Sequence, residues 1–129
     1  MFYPGNLLKK ITQTSKKALR SGHLKPIITN YTILYDNQIP FIVYKMTSLK
    51  QKEKFKKKIQ SKVNPFLPYD KNLYVCDISK THICLLNKYN VVDHHILIVT
   101  RKFEQQESLL NLSDFDAILK CMKEFEGLG

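Results

Sequence analysis

Histidine is the residue of this sequence best suited to nucleophilic, acid-base or metal chemistry, and the 129 residues contain four: His23, His82, His94 and His95. Only the last two are adjacent. Neighbouring residues of a strand point to opposite faces, so these two do not converge on one ligand. The sequence contains no glycine-rich phosphate loop, no GxSxG or HExxH motif and no acidic cluster for a metal. We therefore expect no metal site and no self-contained catalytic centre.

The positive charge of the chain is concentrated in its first half. Residues 1–62 carry 14 basic and 2 acidic side chains, whereas residues 63–129 carry 7 and 9. Such a field favours a polyanion, which leaves nucleic acid, a membrane surface and a polyphosphate open as partners. The tyrosines among the basic residues also suit stacking on single strands. A basic nucleic-acid-binding module is therefore one alternative function.

The composition also predicts the compartment. No apolar run reaches the roughly 18 to 20 residues of a membrane span, and the N-terminus lacks the apolar segment of a signal peptide. Cys76, Cys84 and Cys121 are an odd number whose spacing fits neither a CxxC pair nor a disulfide framework. These features predict a cytoplasmic protein with buried, reduced cysteines and no membrane partner.

Helical spacing of apolar residues from Asn6 to Arg20 predicts an amphipathic helix that Gly22 ends. The β-branched runs from Ile27 to Leu34 and from Ile39 to Met46, joined across Asp36-Asn37-Gln38, predict a hairpin. A lysine-rich stretch at residues 50–62 follows, which we interpret as a mobile loop.

The second half predicts a sheet and a helix. Three short apolar segments, Leu73 to Ile78, His82 to Leu86 and His95 to Thr100, indicate adjacent antiparallel strands. Ser113 is the expected cap of a last helix, ended by Gly127. Its expected packing face holds Phe115, Ile118, Leu119, Met122 and Phe125. The prediction is one α+β domain over 1–129, with a basic part at 1–62 and a sheet and helix core at 63–129.

Three sequence blocks carry a resemblance: NPFLPYD at 64–70, HICLLNKYNVV at 82–92 and HILIVTR at 95–101. In this order they closely resemble the diadenosine tetraphosphate phosphorylases, or ATP adenylyltransferases, of the histidine triad superfamily. The resemblance extends upstream to residues 18–24 and 48–52 and downstream through residue 129. It covers nearly the whole chain and corresponds to the N-terminal part of such an enzyme.

The resemblance implies a histidine-triad-like, mostly antiparallel sheet with flanking helices, here incomplete. It also implies phosphorolysis of diadenosine tetraphosphate to ADP and ATP through an adenylyl-histidine intermediate. The family's nucleophile belongs to an HxHxQ-like motif just beyond the position of Gly127-Leu128-Gly129, so no residue of this sequence matches it. We expect the chain alone to be inactive. A truncated gene, a split enzyme with a separately encoded C-terminal half and an inactive remnant all fit this pattern.

The resemblance also implies contacts to the nucleoside. Asn87 ends a strand at the position where the superfamily keeps a short polar side chain for the ribose hydroxyls, and an amide both donates and accepts there. Its alternative is a bond to its own turn. Phe66 and Leu67 match residues that shape the adenine pocket. Core packing is their alternative.

Cationic residues are the expected contacts to the phosphates. Lys52 falls on an SLxxK match and precedes further lysines, and Arg101 follows the HILIVT strand, where an ion pair with Glu104 is its alternative. The expected partners are a dinucleoside polyphosphate, or ATP or ADP with phosphate. The cofactor is left open, and a divalent cation bound with the polyphosphate is compatible with the sequence. His23 and Tyr44-Lys45 depart from the family pattern and predict altered affinity.

Overall fold

The computed structural model describes residues 2–47, 53 and 67–127. The elements in chain order are α1 (Leu7–Arg20), β1 (Thr29–Asp36), β2 (Ile39–Met46), a 3₁₀ turn (Lys71–Leu73), β3 (Tyr74–Asp77), β4 (His82–Leu86), β5 (Ile96–Thr100) and α2 (Leu112–Met122). Strands β1 and β2 form one antiparallel sheet, and β3, β4 and β5 form another in that order. The α+β prediction is confirmed. Apart from residue 53, the predicted loop at 50–62 lies outside the described residues, among which no helix is long and apolar enough to cross a bilayer.

Helix α1 has the predicted amphipathic packing. Leu7, Ile11 and Ala18 recur on one face and are buried against β3 and β4. Its first turn contains no acidic residue, and the carboxylate of Glu124 takes that place by accepting from the backbone N–H groups of Gly5 at 2.9 Å and Leu7 at 3.2 Å. The helix therefore joins the core of the second half of the chain.

Strands β1 and β2 form the predicted hairpin. Its two turn residues, Asn37 and Gln38, have φ values of 46° and 66°. Two successive positive φ angles give a turn whose twist matches that of the strands it joins. Strand β1 begins at Thr29 rather than at Ile27, because the Ile27 N–H donates to the carbonyl of Asn90, outside the hairpin, at 2.9 Å.

The three-stranded sheet has both helices on one face. Cys84 and Leu86, on alternate positions of β4, belong to the same core cluster as residues of α1 and α2. In β3 the register shifts between Tyr74 and Cys76, so Tyr74 opposes Leu85 while Cys76 opposes Cys84. This bulge places Tyr74 on the face away from the helices. The predicted antiparallel order of the three strands is confirmed.

All three cysteines are free and buried, as predicted. Cys76 faces Cys84 across the strands, and a hydrogen bond with Cys76, together with burial, raises the pKa of Cys84. Burial raises the pKa of Cys121 to about 11. Cys84 and Cys121 are therefore protonated core residues rather than nucleophiles, whereas the bond with Cys84 lowers the pKa of Cys76.

Helix α2 departs from the prediction in its cap, end and packing face. Asn111, not Ser113, is the cap, and its side chain accepts from the Ser113 and Asp114 N–H groups. The helix ends at Met122, five residues before Gly127. Its buried residues are Asp114, Ala117 and Cys121, whereas Phe115 and Met122 are 55% and 50% exposed.

The physical reason for the rotated face is the carboxylate of Asp114. Its Oδ2 accepts from the Asn111 N–H at 2.7 Å, which closes a capping box, and its Oδ1 lies 2.8 Å from Nε2 of buried His82 in β4. A polar contact thus turns the first turn of α2 inward and leaves Phe115, Leu119 and Met122 exposed, whereas Phe125, beyond the end of the helix, packs against the core as predicted.

Candidate functional site

The candidate site lies at the end of β4 and the start of β5, on the sheet face away from the helices. Ile96 and Ile98 pair with Leu86 and Cys84 and pack on the helix side. By strand alternation, the residues just beyond the pair of Leu86 with Ile96 project to the other face. Those residues are Asn87 and His95, which are joined by a hydrogen bond from the Asn87 N–H to the His95 carbonyl at 2.9 Å.

Asn87 is held by its backbone, and its side chain has spare hydrogen-bonding capacity. Its Oδ1 accepts from the Tyr89 N–H at 3.3 Å, the long limit of such a bond. Within the described part of the chain, its Nδ2 has no hydrogen-bond partner. The contact with its own turn, which sequence reasoning set against a ribose contact, is therefore present but weak. It leaves one donor and an acceptor lone pair for a ligand.

His95 is a candidate that sequence reasoning missed. Its Nδ1 is buried and has no hydrogen-bond partner among the residues the structure describes. Buried polar atoms are normally paired, so this nitrogen is suited to contact a ligand beside Asn87. Sequence analysis considered His95 only as a metal ligand paired with His94. The available signal was a histidine directly before an apolar strand and opposite the polar end of the preceding one.

A stacked aromatic pair lies on the same face. The rings of Tyr69 and Tyr74 are 5.8 Å apart with an interplanar angle of 23°. Because Tyr74 opposes Leu85, it is a diagonal neighbour of Asn87, at a typical separation of roughly 7–8 Å. The Tyr74 hydroxyl donates to Asp77 at 2.7 Å, and burial together with this bond raises the pKa of Tyr74. The ring is therefore fixed in place beside the end of β4.

Arg101 lies at the opposite end of the sheet from Asn87. Arg101 comes directly after Thr100, which pairs with His82 at the start of β4. Asn87 comes directly after Leu86, which pairs with Ile96 at the start of β5. Arg101 lies opposite Thr81, six residues along the β4 row from Asn87, which is a separation of roughly 20 Å. The structure therefore does not bring these two predicted contacts to one point.

The guanidinium of Arg101 already has a partner. Its Nη2 lies 2.6 Å from Oδ1 of Asp77, rather than pairing with Glu104. The bonds from Tyr74 and from Arg101 hold the pKa of Asp77 below its ordinary value. A phosphate at Arg101 would therefore compete with a carboxylate that stays ionised.

Two of the other predicted contacts, Phe66 and Lys52, lie outside the described residues. Leu67 is half-buried and precedes Pro68 through a cis peptide bond. It stands two residues before Tyr69, whose ring is stacked on Tyr74. Of the predicted apolar pocket, the structure thus describes one side chain and adds two tyrosine rings that sequence reasoning did not single out.

His23 and His82 have structural partners. Nδ1 of His23 lies 2.7 Å from Oδ2 of Asp70, whose other oxygen accepts from the Asn72 N–H. This bond to His23 lowers the pKa of Asp70 to about 2. His82 is buried against Asp114, whose pKa is lowered by its bonds with Asn111 and His82. His23, which sequence analysis treated as a departure that alters substrate affinity, joins the end of α1 to the start of the sheet.

Comparisons with known proteins agree on one family. A family model described as "Ap4A phosphorylase N-terminal domain" matches residues 1–129. The chain is 32% identical over 128 residues to diadenosine 5',5'''-P1,P4-tetraphosphate phosphorylase 2 of Saccharomyces cerevisiae. This alignment covers 95% of this chain and 39% of the yeast protein.

Solved structures of a yeast protein are similar to this fold over most of the chain. The crystal structure of yeast Ap4A phosphorylase Apa2 in complex with AMP matches with a TM-score of 0.73 at 29% identity, over 94% of this chain and 39% of that one. Its complex with Ap4A matches with a TM-score of 0.66 at 29% identity, over 88% and 37%. The chain therefore spans about two fifths of the length of these relatives.

Proposed function

The chain belongs to the Ap4A phosphorylase N-terminal domain family, and on that premise we propose that it supplies the nucleotide-binding part of an ATP adenylyltransferase. This enzyme phosphorolyses diadenosine tetraphosphate to ADP and ATP. The family match over all 129 residues carries the proposal. It is supported by the yeast relatives, whose crystals contain AMP or Ap4A.

The nucleoside binds beside Asn87. The free amide donor and the weakly engaged carbonyl of Asn87 suit two neighbouring ribose hydroxyls, and Nδ1 of His95 offers a further polar contact. The stacked Tyr69 and Tyr74 provide an aromatic wall on the same face, which suits a purine, and half-buried Leu67 stands two residues before Tyr69 in the chain. Lys52 and Arg101 are the proposed phosphate contacts, with Arg101 available only where the phosphate displaces Asp77.

The nucleophile is a histidine from polypeptide that corresponds to the remainder of the relatives. None of the four histidines here stands in an HxHxQ motif. The imidazole nitrogen attacks the α-phosphorus, a P–N bond forms, and the bridging P–O bond breaks to release ATP. An oxygen of inorganic phosphate then attacks the same phosphorus, and the P–N bond breaks to give ADP and free histidine. The residues of this chain orient the nucleoside and support the phosphate oxygens.

Calorimetric titration of the chain with AMP and with diadenosine tetraphosphate tests the proposal. Asn87→Ala should weaken binding by about 1–3 kcal/mol, because it leaves ribose hydroxyls unpaired. Lys56→Ala and Lys58→Ala should each cost less than about 1 kcal/mol, because neighbouring lysines replace them. Asn30→Ala, at an exposed position of β1, is the matched control.

Two results would contradict the proposal. A larger loss from the lysine variants than from Asn87→Ala would favour general polyanion binding, including nucleic acid, over ribose recognition. Production of ADP and ATP from diadenosine tetraphosphate and phosphate by the purified 129-residue chain would show that the nucleophile lies within it.

A further inference from the structure

One face of the β1–β2 hairpin is apolar along its whole length. The register Tyr31 with Tyr44 and Ile33 with Ile42 places alternate residues of both strands on this face. It consists of Thr29, Tyr31, Ile33, Tyr35, Pro40, Ile42, Tyr44 and Met46. None of them is charged. We refer to these eight residues as the hairpin face.

The hairpin face is exposed. The exposed fraction of its large side chains runs from 41% for Tyr44 to 73% for Tyr35. The core cluster of the described chain contains no residue of the hairpin. The opposite side of the hairpin is mixed, since it carries Asn30, Thr32 and Lys45 as well as Leu34 and Phe41. The hairpin face therefore has the uncharged, apolar composition of a side that becomes buried, whereas the other side mixes polar and apolar residues.

A two-stranded hairpin is marginally stable in water by itself, and apolar patches of this kind mark interaction sites. We infer that the hairpin face is the docking surface for the polypeptide that, in this family, continues beyond the N-terminal domain. This inference rests on the proposed function, because that polypeptide is also the source of the nucleophile.

The comparisons support this occupant. The structure of the yeast protein with AMP matches 94% of this chain. The unmatched part is shorter than the hairpin with its two eight-residue strands, so the match includes hairpin residues. This chain covers only 39% of that protein, so about three fifths of its length is available to cover the same surface. A second copy of this chain is the weaker occupant, because each copy carries a net charge of +10 and like charges repel.

Hydrogen exchange of the hairpin amides tests the inference. The full 129-residue chain is compared with a hybrid in which these residues replace the matched part of the yeast phosphorylase. We expect exchange in residues 29–46 to be about a hundredfold slower in the hybrid, as for an element that becomes part of a packed unit. Exchange is measured without nucleotide, so it does not depend on whether the nucleotide site is assigned correctly.

Two neighbouring substitutions show which side docks. In the hybrid, Ile33→Asp should speed exchange of the hairpin at least about tenfold, because it places a charge in an apolar interface. Thr32→Asp, one residue away and on the other side, should leave it unchanged. Tyr35→Ser is a milder variant of the same face, should Ile33→Asp aggregate.

Three results would overturn the inference. They are equal exchange in the short chain and the hybrid, equal effects of Ile33→Asp and Thr32→Asp, and protection in the short chain alone that rises with its concentration. The last result would assign the face to a second copy. If the hybrid does not fold, the same comparison on the matching strands of the intact yeast protein decides, and fast exchange there would equally overturn it.

Discussion

The β1–β2 hairpin and the β3–β4–β5 sheet are built from similar residues but have opposite surroundings. Both contain apolar runs, yet Leu86 in β4, which packs against the helices, is 2% exposed and Ile42 in β2 is 57% exposed. Strand formation follows from local sequence in both regions, whereas burial depends on which other elements pack against the strand. The sheet has α1 and α2 against one face, and the hairpin has no counterpart among the described residues.

This difference divides the described chain into a sheet region with a shared core and a hairpin whose apolar side chains are exposed. The sheet is tied to its helices by a shared core, by Glu124 at the start of α1 and by the pair of His82 with Asp114. The hairpin offers an apolar face instead. The proposed nucleotide site lies on the sheet, so its position does not depend on the docking of the hairpin.

The largest effect that tests this division is a matched pair of core and surface substitutions. Ile83→Ala should lower the free energy of unfolding by about 2–5 kcal/mol, because it leaves a cavity in packed surroundings. Ile42→Ala should change it by less than about 0.5 kcal/mol, as at other exposed positions. Urea unfolding of both variants checks this. Equal losses would show that the hairpin belongs to the core.

A smaller effect concerns acid stability of the sheet region. The pKa of Asp70 is about 2 in the folded chain and near its ordinary 3.8 when unfolded. A lowered folded pKa contributes stability that is present above pH 3.8 and is lost as the pH falls toward 2. Because His23 is 38% exposed, we expect at most about 1 kcal/mol.

Urea midpoints at several pH values check this effect. The stability difference between the wild type and Asp70→Asn should be present at pH 5 and should shrink between pH 4 and 2. Asp36→Asn, at the exposed end of β1 beside the hairpin turn, is the matched control and should show no such trend. A constant difference across this range would contradict the role of the pair between His23 and Asp70.

The sequence predicted elements better than it predicted which side of an element packs. Apolar periodicity found α1, the hairpin and the three strands within a few residues. For α2 the apolar positions Phe115, Leu119 and Met122 were misleading, because the polar contact of Asp114 with His82 orients the helix. A contact between residues 32 positions apart has no periodic signature.

The candidate site was predicted in part for a similar reason. Asn87 was found from the family pattern at the end of β4. Its neighbours Tyr74 and His95 become visible only through the register of β3 and β5 with β4, including the bulge in β3. That register also separates Arg101 from Asn87, which the order of residues along the chain does not reveal.

The measurement that tests the central claim most directly is a titration of the ¹⁵N-labelled chain with AMP, followed by its backbone amide resonances. If AMP binds beside Asn87 on the sheet, we expect saturable shifts of the amide resonances of Tyr74, Asn87, Lys88 and His95. The amide resonances of residues 29–46 should not shift. The Asn87→Ala variant should need more AMP to reach the same shifts. Shifts confined to the hairpin, or none at Asn87 and His95 at saturating AMP, would contradict the assignment of the site.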